Sequence, residues 1–89
     1  MTPYEVNWLD DVLGEVVQCW LDAADSEQKS RIRRATDDAD RILASDPKRD
    51  ADHLSEGLWR LEIAPLRLYF VIDEELRLVE VTGVSLLET

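Results

Sequence analysis

The 89-residue sequence is poor in most of what would fasten a small fold or carry a strong chemical signature. It has one cysteine, Cys19, so no disulfide can close within the chain, and a reducing compartment suits it. It has one histidine, His53, with no nucleophile or metal partner at a recognisable spacing. The acids of residues 10–25 form no metal-ligand pattern either, so neither a metal nor another cofactor is expected. No apolar run approaches the ~20 residues of a membrane span. The start, MTPYEVNWLDD, has no basic residue and no long apolar stretch, unlike a secretory signal. The expected setting is cytoplasmic, without a membrane partner. Internal repeats and low-complexity segments are also lacking.

Positive charge is scarce: ten Lys and Arg face twenty Asp and Glu, for a net charge of −10. Residues 1–25 carry −6, residues 26–49 carry +2 and residues 50–89 carry −6. A chain so acidic is repelled by polyphosphate at long range, which argues against general nucleic-acid binding.

What is present is pattern. Eighty-nine residues make one domain, spanning 1–89. Residues 4–8, YEVNW, alternate like a short strand. From Leu9 the spacing turns helical, with Leu9, Val12, Leu13, Val16, Val17, Trp20, Leu21 and Ala24 on one wide stripe. That width predicts a helix lying between the sheet and a second helix, with Trp20 in the core. Asp25 and Gln28 have capping-box spacing, with Ser26 as the competing cap. The second helix should run to about Ser45, because Pro47 disfavours helical geometry at Asp46. Residues 48–57, KRDADHLSEG, read as a polar loop. Alternation then predicts strands near 58–63, 66–73 and 76–84, joined tightly enough to be antiparallel neighbours. The result is an α+β fold of order β-α-α-β-β-β, a helical hairpin packed on one face of a small, mainly antiparallel sheet.

The segments YEVNW, WLDAAD, ILASDP, EGLWRLEIAPLRLYFVID and RLVEVTGV, in this order, resemble the RelE/ParE toxin superfamily of bacterial toxin–antitoxin modules over about residues 4–84. The resemblance implies a toxin that a cognate antitoxin protein neutralises. For RelE-like members it implies ribosome-dependent cleavage of mRNA without a metal, hence translation inhibition. For ParE-like members it implies inhibition of gyrase, with no residues that transfer. The RelE-like reading makes Arg67 and Arg60 the catalytic candidates, since fixed cations stabilise the charge that develops on the scissile phosphate. The chain departs from that pattern at two places. Glu62 stands where a second basic residue is expected, and the tail SLLET has Leu87 about where an arginine would be, with no tyrosine after Val84. These departures leave a rival reading, a catalytically degenerate interaction module on the same fold.

Each candidate also has a plainer reading. Arg60 and Arg67 can pair across strands with Glu62 and Glu80. The basic stretch KSRIRR can be neutralised within its own helix through Glu27–Arg31, Arg33–Asp37, Arg34–Asp38 and Asp37–Arg41. His53 reads as a solvated loop residue, Cys19 as a small buried filler, and Trp20 and Trp59 as core.

Overall fold

The computed structural model describes residues 3–87. The elements are β1 (Glu5–Trp8), α1 (Asp10–Leu21), α2 (Ser26–Ser45), β2 (Asp52–Ser55), β3 (Leu58–Ile63), β4 (Leu66–Asp73) and β5 (Leu78–Leu86). The strands form one sheet in the order β1-β5-β4-β3-β2. Only β1 runs parallel to its neighbour, β5; every other pair is antiparallel. A parallel pair needs a long crossover, and the two helices supply it. They cover one face of the sheet and leave the other open.

Alternation decides which side chains go inward. Leu61, Leu66, Leu68, Phe70, Val79, Val81 and Val84 point to the helices and are buried. α2 meets them with Ile32, Ala35, Ala39 and Leu43. Val81 and Val84 both face inward although three residues apart, because the β4–β5 register shifts beside Tyr69 and Phe70. The shift inserts one extra residue, as a bulge does.

The predicted second helix is found. Asp25 is its N-cap, accepting the Gln28 N–H at 2.8 Å, while the Gln28 side chain accepts the Ala24 N–H at 3.2 Å. Three other expectations need correcting. The segment read as a loop contains β2, an edge strand against β3. All four of its residues are exposed, so no apolar alternation marks it in the sequence. His53 therefore stands on a strand, its ring 4.7 Å from that of Trp59. The last strand begins at Leu78 and not Leu76. Asp73 accepts the Leu76 N–H at 3.0 Å, and Arg77 turns the chain at φ 52°. Arg77 is thus a hairpin residue, its guanidinium 5.1 Å from the Tyr4 ring centre.

The third correction concerns α1. Val12 is its only fully buried residue, and Trp20 remains 39% exposed. Among the described residues the wide stripe has α2 and β5 on one side only, and its outer half faces water. Cys19 fits the filler reading in part: it is half-buried, and burial pushes its thiol up from the ordinary range, with Asp22 and Glu15 adding to the effect.

Candidate functional site

The two candidate arginines lie on the open face of the sheet, on neighbouring strands. In the β3–β4 ladder Arg60 is opposite Tyr69, and Glu62 is opposite Arg67. Residues directly opposite share a face, so all four side chains project away from the helices. Asp52 on β2 is opposite Arg60 and joins them. Tyr69 is held by its other neighbour: a Cβ added to Gly83 would lie 3.4 Å from the tyrosine ring, so the ring rests over the glycine.

Both arginines are already engaged. Arg67 Nε donates to Glu62 Oε2 at 2.8 Å. That bond is the main reason its guanidinium is held further above the ordinary arginine range, and Tyr69 adds to it. Arg60 Nη2 donates to Asp52 Oδ2 at 3.3 Å. Its Nε is buried and has no acceptor among the described residues, so only part of this guanidinium can reach a ligand. Glu80 is not the partner of either arginine; it stands opposite Val71 and Asn7. Asp52 is the site residue that the sequence reading missed, because its strand carries no pattern. Tyr69 follows Arg67 by two positions, and the alternation alone was enough to place it on the same face.

The face is not a cationic cleft. Its two arginines are set against Asp52 and Glu62 in contact, with Glu80 and Glu5 on the strands beyond. Exposed pairs of this kind contribute little to stability, but each fixes a guanidinium away from an incoming phosphate. Among the described residues no cluster of three or more His, Cys, Asp or Glu could hold a metal ion. No helix of the described residues is long and apolar enough to cross a membrane.

The basic stretch of α2 behaves differently from expectation. None of the four expected i, i+4 pairs closes among the described residues; Arg41 pairs instead with Asp38, at 3.0 Å. Lys29 lies 4.5 Å over the Trp20 ring, and Arg31, Arg33 and Arg34 stay exposed in water.

A second polar group ties the far edge of the sheet to the loop after α2. Glu74 accepts from Tyr4 Oη at 2.8 Å and pairs with Lys48 Nζ at 2.6 Å. The Lys48 bond, then the Tyr4 bond, lowers the Glu74 carboxyl below the usual carboxylate range. A depressed folded-state value means that its contribution is complete above the ordinary range, about pH 4, and is lost as pH falls through the folded value. Glu74→Gln should therefore lower the melting temperature slightly at neutral pH and not at all in strong acid. Equal differences at both pH values would show that the contact contributes nothing through its charge.

No family model matches the sequence, and no curated protein matches it. Solved structures do. The toxin–antitoxin complex RelBE2 from Mycobacterium tuberculosis includes a chain with TM-score 0.75 and 19% identity, covering 97% of this chain and 93% of that one. A chain of the archaeal RelE–RelB complex from Pyrococcus horikoshii gives 0.63 at 14% identity, covering 97% and 96%. The isolated RelE toxin of E. coli gives 0.59 at 16%, covering 97% and 86%. Identities this low carry the architecture and nothing finer: the chain has the fold of the RelE toxins.

Proposed function

We propose that this protein is the toxin-fold member of a toxin–antitoxin pair, that it binds an antitoxin protein, and that its sheet face is too heavily neutralised to cleave mRNA efficiently. The fold supports the first part, together with the antitoxin complexes in which similar chains occur. The Arg67–Glu62 bond supports the last part. Cleavage of a phosphodiester gathers negative charge on the phosphate, and fixed donors must be free to meet it. Here the best-placed cation is bound by a carboxylate at the position where a further cation would help most.

One observation favours an active enzyme, a ribosome-dependent mRNA endonuclease needing no metal. Arg60, Arg67 and Tyr69 gather on one open face, and a bound ribosome could displace Glu62 and Asp52. Growth under induced expression separates the two readings. The degenerate reading expects no arrest from the wild type and arrest from Glu62→Lys. Arrest by the wild type that Arg67→Ala abolishes would establish the enzyme. Arrest indifferent to Arg67, with cellular mRNA intact, would point to another target, such as gyrase.

A further inference from the structure

The helix that the sequence predicts to be sandwiched is open on one side, and its exposed residues are apolar. Leu9, Leu13, Val17, Trp20 and Leu21 all remain in water, Leu13 at 44%, Val17 at 54% and Leu21 at 57% exposure. At 100° per residue they fall on one continuous strip of α1, beside the inward-facing Val12 and Val16. The strip borders a groove between the two helices, walled by Val16, Val17 and Trp20 on one side and by Ile32, Arg33 and Asp37 on the other. Single exposed leucines need no explanation, but five large apolar residues in one strip mark a surface that a partner covers.

The charges around the strip select the partner. α1 has Asp10, Asp11 and Glu15 and no basic residue. Across the groove Asp37 and Asp40 are exposed, and Asp40 accepts the Trp8 Nε1–H at 3.0 Å, which places it near the start of α1. Against these acids stand Arg33 and Lys29, the latter drawn over the Trp20 ring. An anionic membrane surface needs a basic rim around an apolar helix face, which α1 lacks. A second copy docking through α1 would bring acid onto acid between two chains of charge −10.

We propose that the strip and groove receive an amphipathic helix of a partner protein whose apolar residues repeat at i, i+3, i+4 and i+7 and whose rim is rich in lysine and arginine. The proposal deepens the antitoxin reading, on which it rests for the class of partner, by giving the chemistry of the segment that binds. Apolar anchors would supply most of the affinity, and the basic rim the choice of partner and the rate of association.

The test uses two synthetic amphipathic peptides of about four helical turns with identical leucine positions. One has a lysine rim and the other a glutamate rim. Binding to the full chain is followed by tryptophan fluorescence and calorimetry, and compared with Leu13→Ser/Val17→Ser. Both substituted residues are exposed and no charge changes, so circular dichroism should report an intact fold. The lysine peptide should bind at least about 10-fold more tightly than the glutamate peptide, with the gap narrowing in high salt. The double variant should lose about 10-fold or more. Equal or tighter binding of the glutamate peptide would overturn the proposal, as would no binding of either peptide. So would lysine-peptide binding that the double variant leaves unchanged, since that is attraction to net charge alone. A free chain that is dimeric until Leu13→Ser/Val17→Ser separates it would assign the strip to a second copy. Growth arrest reads the sheet face and peptide binding reads α1, so either account can fail while the other stands.

Discussion

Phe70→Ala should bring this protein to the edge of unfolding. Phe70 is fully buried at the centre of β4, opposite Trp59 on β3 and Val81 on β5, with the helices above it. Truncation removes the largest of the fully buried side chains and leaves a hole that strands on both sides hold open. Such changes cost about 3–5 kcal/mol. A domain of this length has about 4–13 kcal/mol in total, so about a quarter of its stability or more goes. The melting temperature should fall by roughly 15 °C or more. Trp20→Ala removes a larger side chain and should cost only about 1–2 kcal/mol. Part of its ring is already in water, and what it loses beyond packing is the Lys29 contact, about 0.5–1 kcal/mol. Thermal melts of the two variants side by side check this ranking. A larger loss for Trp20→Ala would mean that α1 is buried on both sides.

Glu62→Lys should raise ribosome-dependent mRNA cleavage by about 100-fold. The substitution does two things at one site. It releases Arg67 from a 2.8 Å bond, and it places a cation directly opposite on the neighbouring strand. Removal of one donor from a site that stabilises developing charge typically costs about 10²–10³ in rate, and this change supplies at least one. The fold should tolerate it, because Glu62 is exposed and lysine fits a strand about as well as glutamate does. Cleavage on programmed ribosomes is the readout. No gain, with the fold intact, would show that the engaged Arg60 limits the site instead. Glu62→Gln frees Arg67 without adding a charge, and an intermediate rate would separate the two contributions.

Most of the fold was legible because each buried element has one buried face. β3 alternates in sequence from Trp59 to Ile63 and β4 from Leu66 to Phe70, and α2 keeps Ile32, Ala35, Ala39 and Leu43 in helical register under a capping box. β2 was not legible, because an exposed edge strand is defined by backbone pairing and carries no side-chain period. α1 misled for the opposite reason. Its stripe is wide enough for two neighbours, yet the described residues cover one side only. Within the candidate site, alternation placed Arg60, Arg67 and Glu62 on a single face, and the Arg67–Glu62 pairing follows from the tight turn at Ala64–Pro65. The partner of Arg60 could not be read, because Asp52 belongs to the strand that leaves no signal.

The most direct test of the central claim is the rate at which the purified wild-type protein cleaves mRNA on programmed ribosomes, measured beside Arg67→Ala. If the open face is neutralised by its own carboxylates, the wild type cuts at the background rate and Arg67→Ala changes nothing. Rapid cleavage by the wild type, lost in Arg67→Ala while the fold persists, would mean that the ribosome frees Arg67 from Glu62 and that the site is active as it stands.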